Sequence, residues 1–299
     1  MFPRIFDYFA PMSLLEALEL LKNGDSQIKI LAGGQSLIPA LKTRSSPLIS
    51  SLKSVVDITG IKELDYIRKE SEMYKIGATT TVATLENDLE ISSSLPILKE
   101  TASEIADPLV RNLGTVGGNL CYGDPVNDLP APMMALNASV TLTSLGGNRK
   151  VNVEQLYIDS HKTSVKADEI LTEVQIPLPV DKCGCAYRKV KKGSGGFTIA
   201  GVAANLSLED DNSVCACRLA LTGVGPKTLR PLTAERTLIG KRFEPLALDD
   251  AAKSAVESSQ PVSDLYGSAD YRRKILGILV KDALELAYRR AAMGAYEKS

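Results

Sequence analysis

The chain of 299 residues has no tryptophan and a single histidine, His161. One imidazole leaves no base for a Ser-His or Cys-His nucleophile and no histidine-rich metal site. An excess of either charge is also missing. Lys and Arg number 35 against 36 Asp and Glu, and no face or tail shows the basic clustering that nucleic acid or an anionic membrane needs. Apolar runs stop well short of a bilayer span, and Met1-Phe2-Pro3-Arg4 lacks the apolar core of a signal peptide. Five cysteines are too few for a disulfide framework at this length, and in a reducing compartment they stay thiols. A cytoplasmic chain with no membrane span and no nucleic-acid partner is the expectation. No G-x-G-x-x-G follows a strand, which argues against a Rossmann dinucleotide fold.

What is present is apolar content of 44%, enough for one or two sizeable cores and about two domains. Two glycine stretches then stand out, Ala32-Gly33-Gly34-Gln35-Ser36 and Thr115-Val116-Gly117-Gly118-Asn119. The first lies between the apolar run Ile28 to Leu31 and Leu37-Ile38-Pro39-Ala40-Leu41, so it reads as the turn from a buried strand into a helix. Ser36 takes the N-cap, and Pro39 falls in the first turn, where its missing N–H costs no bond. Glycines without Cβ atoms let backbone N–H groups approach a bound group, and a helix N-terminus favours phosphate oxygens. The second stretch repeats this logic, and the Asn119 amide can donate and accept. Alone, either stretch reads rather as a tight structural turn than as a ligand loop.

In chain order, Ser13-Leu14-Leu15-Glu16 is a capping box opening a helix that Gly24 closes, and Val55 to Ile58 is a second short strand after the one at Ile28. These form a first α/β lobe over about 1–58. A second lobe, about 59–177, has a strand at Met73 to Ala78, a short helix opened by Thr81 or Thr84, and a helix from Pro96 to Ala106 that Pro108 ends. Asp124 to Pro130 is turn chemistry, followed by a short helix through Met133 to Leu136, a strand at Val140 to Thr143 and a strand at Ile170 to Ile176. Pro177-Leu178-Pro179 reads as a connector, giving domains at 1–177 and 183–290. The second domain has strands at Cys185 to Val190, Thr198 to Leu208 and Val214 to Leu221. It finishes in helices, the longest beginning near Ser268.

Some motifs yield nothing. Gly193-Ser194-Gly195-Gly196 has no helix pattern or Lys-Ser/Thr pair behind it and reads as a hairpin turn, and Gly223-Val224-Gly225-Pro226-Lys227-Thr228 carries proline where a Walker loop needs glycine. Cys183-x-Cys185 and Cys215-x-Cys217 sit on strands that could be neighbours, which would place four thiolates together. Their one-residue spacing reads instead as buried or half-buried thiols, with no metal site.

Ala32 to Ser36, then Ile105-Ala106-Asp107-Pro108-Leu109-Val110-Arg111-Asn112 running into Thr115 to Asn119, then Asp124 to Asp128, together resemble the FAD-binding medium subunit of molybdenum hydroxylases, the family of carbon monoxide and xanthine dehydrogenases. Glu169-Ile170-Leu171, Leu221 to Pro226 and Gly267 to Arg273 extend the resemblance over nearly the whole chain. The fold it implies is α+β: a two-lobed α/β FAD-binding domain of the vanillyl-alcohol-oxidase (PCMH) type, with a C-terminal domain of antiparallel sheet and helices closing over the flavin.

The resemblance also implies a site. Ala32, Gly33, Gly34, Gln35, Ser36 and Leu37, with Thr115, Val116, Gly117, Gly118 and Asn119, would wrap the pyrophosphate and neighbouring ribityl and ribose groups of FAD. Asp128 would accept from a cofactor hydroxyl, and Leu171 and Lys189 would lie by the flavin ring. Phe197, in Gly195-Gly196-Phe197 where relatives carry a Gly-Asp-aromatic stretch, would stack on the ring. Gln35 stands where relatives commonly have histidine. Read without the resemblance, Asp128 is a cap for the helix after Pro130, Lys189 a solvated strand end, and Phe197 core.

No side chain is implied as catalytic and no metal is implied on this chain. FAD would collect electrons from the iron-sulfur clusters of a small subunit, supplied by a molybdenum-cofactor large subunit, in a dimer of heterotrimers, and pass them to a terminal acceptor. A self-sufficient FAD oxidoreductase of the vanillyl-alcohol-oxidase type would need its own pocket base. A non-enzymatic nucleotide-binding module is the third class. The colour of the purified protein and the chains that accompany it discriminate among the three.

Overall fold

The computed structural model describes residues 3, 5–23, 27–43, 52–193 and 196–293. The chain opens with strand β1 (Asp7–Phe9) and helix α1 (Leu14–Asn23). Half of the capping box forms: the Glu16 N–H donates to Ser13 Oγ at 3.2 Å, while Glu16 Oε2 accepts not from the Ser13 N–H but from that of Met12, one residue earlier, at 3.0 Å. Gly24, expected to close the helix, lies outside the described residues. Strand β2 (Ile28–Leu31), helix α2 (Leu37–Thr43) and strand β3 (Ser54–Asp57) complete the lobe. Its sheet is wholly parallel in the order β1-β3-β2, a topology that the helices between strands require. The β1 strand was not read from the sequence, because Asp-Tyr-Phe is too short to show a period.

The next part is built on an antiparallel five-stranded sheet, whose strands are β4 (Ile67–Glu70), β5 (Met73–Gly77), β6 (Ser139–Ser144), β7 (Gly147–Asn152) and β10 (Ile170–Pro177), ordered β4-β5-β10-β6-β7. Strand β10 is central, and Ile170, Val174 and Ile176 are buried along it. Small helices α3 (Val82–Asn87), α4 (Leu89–Ser94), α5 (Pro96–Glu104), α6 (Pro108–Leu113), α7 (Val116–Tyr122) and α8 (Pro130–Ala135) run between β5 and β6. Two expectations need correction here. Helix α5 ends at Glu104 without help from proline. Pro108 instead starts α6 at its first position, where Asp107 Oδ1 accepts from the Leu109 and Val110 N–H groups. The second glycine stretch is likewise not a loop but the first turn of α7, with Thr115 as its N-cap.

After the one-turn helix α9 (Val153–Leu156), a two-stranded hairpin of β8 (Tyr157–Asp159) and β9 (Lys162–Thr163) leads back to β10. Beyond Pro177 comes a second antiparallel sheet of β11 (Cys183–Lys191), β12 (Thr198–Leu208) and β13 (Val214–Thr222), in that order. Helices α10 (Leu232–Leu238), α11 (Pro245–Ser258) and α12 (Ala269–Ala292) cover one face. Helix α12 begins beside Ser268 as expected, and Ser268 is its N-cap, accepting from the Tyr271 N–H at 3.1 Å.

Strand periodicity sorts the two faces of this sheet. Ala186, Ala200, Val202 and Ala204 pack with the helices, while Cys185, Tyr187, Ala203 and Ala220 join the core of the preceding domain. Both faces are therefore apolar, and the strands read as nearly continuous apolar runs. The same geometry corrects the reading of the cysteines. β12 separates β11 from β13, so the strands carrying the two Cys-x-Cys pairs are not neighbours. Cys185 faces the first domain and Cys217 the helices, while Cys215 is exposed. Burial pushes the Cys185 thiol up to about 12, and among the described residues no cluster of His, Cys, Asp or Glu could hold a metal.

Candidate functional site

The first glycine stretch leaves β2 and turns sharply, with Gly33 at φ +81° and Gly34 at φ +72°. Both are left-handed conformations that a residue with a Cβ adopts only at a cost. At Gly33 space forbids a side chain as well, since a Cβ there would overlap the Leu113 carbonyl. Among the described residues the backbone N–H groups of Gly33, Gly34, Gln35 and Ser36 meet no protein acceptor. Successive N–H groups turned outward in such a bend form a concavity that suits an anion. Gln35 folds back so that Nε2 donates to the Gly33 carbonyl at 3.1 Å, a task the N–H of a neutral imidazole could equally perform. A loop that works through its backbone thus tolerates glutamine at this position.

The second stretch is placed against the first. Thr115 Oγ1 donates to the Ala32 carbonyl at 3.1 Å, and a Cβ on Gly118 would stand 2.8 Å from that same oxygen. Its amides are already engaged. Gly117 N–H donates to the Ala78 carbonyl at 2.8 Å, Gly118 N–H to Thr115 Oγ1 at 3.1 Å, Val116 N–H to the Thr80 carbonyl at 2.9 Å and Asn119 N–H to the Thr115 carbonyl at 3.0 Å. Thr115, Val116 and Gly117 are buried. The Asn119 side chain differs from the rest, because its Oδ1 is buried with no partner. A buried amide oxygen without a donor is costly, and it marks where a ligand hydroxyl or amine would be accommodated.

Asp128 follows, tied to Asn119 through Asn127, whose Nδ2 donates to the Asn119 carbonyl at 2.8 Å. Asp128 does not cap α8, whose N-cap is Leu129 with no side-chain bond. Its carboxylate is instead the meeting point of the two domains. Oδ1 accepts from the Tyr187 hydroxyl and the Thr198 hydroxyl, each at 2.6 Å, and Oδ2 accepts from Lys189 Nζ at 2.8 Å. The Lys189 side chain is 1% exposed, so it is no solvated strand end. An ammonium so deeply buried needs a counter-charge, and Asp128 supplies it. Burial first, and then the Asp128 charge, push the Tyr187 hydroxyl well above its ordinary pKa, so it donates throughout the physiological range. Tyr187 and Thr198 escaped the sequence reading. The available signal was period-two spacing, which puts Tyr187 on the same face of β11 as Lys189.

Leu171 is buried at the start of β10, one residue before the Thr172 carbonyl that accepts from the Ala78 N–H at 3.0 Å, and Ala78 in turn receives the Gly117 N–H. Phe197 immediately precedes Thr198 and is 64% exposed, which removes the reading that it is core. A phenylalanine left so open, one residue before the Thr198 that bonds Asp128, suits a flat apolar partner. Gly195 lies outside the described residues. The structure thus brings together the two glycine stretches, and separately Asp128, Lys189 and the strand start that carries Phe197, with Asn119 and Asn127 between the two groups.

Comparison with known proteins gives the family. Residues 4–179 match the model of the FAD binding domain in molybdopterin dehydrogenase, and residues 185–287 that of the CO dehydrogenase flavoprotein C-terminal domain. The chain belongs to the FAD-binding medium subunits of the molybdenum hydroxylases. The carbon monoxide dehydrogenase medium chain of Hydrogenophaga pseudoflava is 37% identical over 98% of this chain and 100% of its own length. Subunit alpha of the 6-hydroxypseudooxynicotine dehydrogenase complex of Paenarthrobacter nicotinovorans is 36% identical over 97% of this chain and 96% of its own. A solved structure of carbon monoxide dehydrogenase from Hydrogenophaga pseudoflava superposes with a TM-score of 0.93 at 38% identity, covering 97% of this chain and 99% of that one. FAD as cofactor, the oxidoreductase class and the α+β fold of two domains follow from this membership. Among the described residues no helix is long and apolar enough to cross a membrane.

The residues in place fit FAD on their own evidence. Anion-receptive amides stand at Gly33 to Ser36, a partnerless amide oxygen at Asn119, and an exposed aromatic face at Phe197.

Proposed function

We propose that this chain is the electron-transfer subunit of a cytoplasmic complex with an iron-sulfur small subunit and a molybdenum-cofactor large subunit, arranged as a dimer of heterotrimers, and that its FAD lies across the site described above. The observation that carries the reading is the set of backbone amides at Gly33, Gly34, Gln35 and Ser36 that meet no protein acceptor among the described residues. Those amides and Ser36 hold the pyrophosphate, and Leu37 begins the helix behind it. Thr115, Val116, Gly117 and Gly118 brace that loop, and Asn119 takes a ribose or ribityl group. Asp128 accepts a cofactor hydroxyl on the acceptor direction that its protein partners leave open. Leu171 and Lys189 border the ring, and Phe197 covers its face. The domains divide as 1–177 and 183–290, in keeping with the two matched stretches.

FAD, when bound, supplies reversible electron uptake and release. The protein holds it, excludes water from Lys189 and sets the local charge. Relatives of the same length act on substrates as unlike as carbon monoxide and 6-hydroxypseudooxynicotine by their names, which accords with a substrate chosen on another chain. Purification from the source organism should give a flavin absorption band bleached by dithionite, and native mass spectrometry should find two further chains. A single unaccompanied chain with full turnover would overturn the proposal.

A further inference from the structure

The site contains a second layer that its glycine stretches do not reveal. We infer that Tyr187 and Thr198 are positioning residues for the flavin site, two hydroxyls of the C-terminal domain that fix the Asp128 carboxylate so that only its Oδ2 edge is offered to the cofactor. The inference rests on the reading of Asp128 as a cofactor contact.

A carboxylate oxygen has two lone-pair directions. Both hydroxyls donate to Oδ1 at 2.6 Å, which uses its capacity. Oδ2 receives Lys189 Nζ at 2.8 Å and keeps one direction open. A ligand hydroxyl that reaches Asp128 must therefore meet Oδ2, beside the ammonium. The sheet is built around this contact. Gly201 pairs with Lys189 across β11 and β12, and a Cβ on Gly201 would stand 2.8 Å from the Tyr187 hydroxyl oxygen, so the hydroxyl occupies space that only glycine leaves. From the third strand, Thr222 Oγ1 is bonded to the Asn127 carbonyl at 2.7 Å and the Pro125 carbonyl at 2.9 Å. All three strands of the C-terminal sheet hold the segment that ends in Asp128, which couples retention of the cofactor to docking of that domain.

The test uses the FAD-loaded full-length chain within its complex, following FAD release by recovery of free-flavin fluorescence and the bound flavin by visible circular dichroism. Tyr187→Phe and Thr198→Val should each release FAD about tenfold faster, the loss expected for one hydrogen bond to a charged group, and should alter the flavin dichroism. Thr198→Ser keeps the hydroxyl and should restore both readouts, which a purely packing role for Thr198 would not allow. If Thr198→Ser behaves as Thr198→Val does, or if both hydroxyl deletions match wild type while Asp128→Asn loses FAD, the positioning inference fails and the site reading stands. If Asp128→Asn itself retains FAD at the wild-type rate, Asp128 does not contact the cofactor and both fall.

Discussion

The two Gly-Gly pairs of this chain look interchangeable as sequence and do opposite work in space. Gly33 and Gly34 turn through left-handed backbone and, among the described residues, leave their N–H groups without a protein acceptor, whereas Gly117 and Gly118 sit in a helix turn with their N–H groups bonded to Ala78 and Thr115. The first pair is glycine because of conformation, and at Gly33 also because of space. The second is glycine because two pieces of backbone approach with no room for a methyl group between them. The same dipeptide can thus offer amides to an anion or bring two segments into contact, and the fate of the N–H groups tells which.

The largest effect that separates the two roles should come from Gly117→Val. Its first side-chain carbon would lie 2.7 Å from Ala78 Cβ and 2.8 Å from the Ala78 carbonyl oxygen, and the backbone that carries Ala78 is itself part of the core. Overpacking against rigid backbone should cost about 3 kcal/mol. Thermal denaturation of the cofactor-free chain measures it. A variant that melts like wild type without cofactor, yet holds no FAD, would make the second pair a ligand loop after all.

Gly34→Val inverts that pattern. A Cβ at Gly34 meets only side-chain carbons, Ile38 Cγ1 at 3.0 Å and Leu31 Cδ1 at 3.2 Å, and no backbone. The cofactor-free chain should therefore lose only the strain of a β-branched residue at positive φ, roughly 1–3 kcal/mol. FAD affinity should fall roughly a hundredfold, since relaxing the turn misaims at least two amides, each worth about tenfold or more against a charged phosphate. Titration with FAD, read by quenching of its fluorescence, gives the value. Affinity within a factor of a few of wild type would remove the phosphate from this loop.

How far the sequence discloses these roles differs along the chain. Elements with a clean period and a cap were legible: α1 through Ser13 and Glu16, β10 through Ile170 to Ile176, and α12 through Ser268. The helices α6 and α7 were not, because each is a single turn or two whose signal lies in the caps Asp107 and Thr115 rather than in periodicity. Within the site, motif resemblance named Asp128 and Lys189, but nothing local to either shows that they pair. Their contact joins residues 61 apart in sequence and depends on the docking of one domain on the other. The phenol of Tyr187 and the hydroxyl of Thr198 were invisible for the same reason. Period-two spacing puts Tyr187 on the face of Lys189, but it does not name the partner that both meet across the domains.

A gentler perturbation of the frame alone should confirm that the two glycine pairs are separable. Arg149 clamps Glu169, with Nε to Oε1 at 2.6 Å and Nη2 to Oε2 at 2.8 Å. Glu169 immediately precedes β10, the strand whose Thr172 carbonyl holds Ala78, which in turn holds Gly117. The Arg149 guanidinium, helped by the Lys166 backbone N–H, holds the Glu169 carboxyl below its ordinary pKa against the opposing effect of burial. A carboxyl whose folded pKa is depressed adds stability that is fully present above its unfolded value, near 4.3, and is lost as pH falls through the lower folded value. Arg149→Ala should therefore cost about 2 kcal/mol at neutral pH, since it leaves a buried charge half-partnered. The Tm gap to wild type should narrow as pH falls below the unfolded value and close only once pH passes below the depressed folded value, where Glu169 is protonated in both proteins. FAD affinity at pH 7 should stay within a factor of two or three of wild type, because the amides of Gly33 to Ser36 lie in the first glycine stretch, which the Arg149 pair does not touch. A Tm gap that persists unchanged to pH 3 would show that the pair does not act through its charge. An affinity loss as large as that of Gly34→Val would show that frame and cradle are one unit.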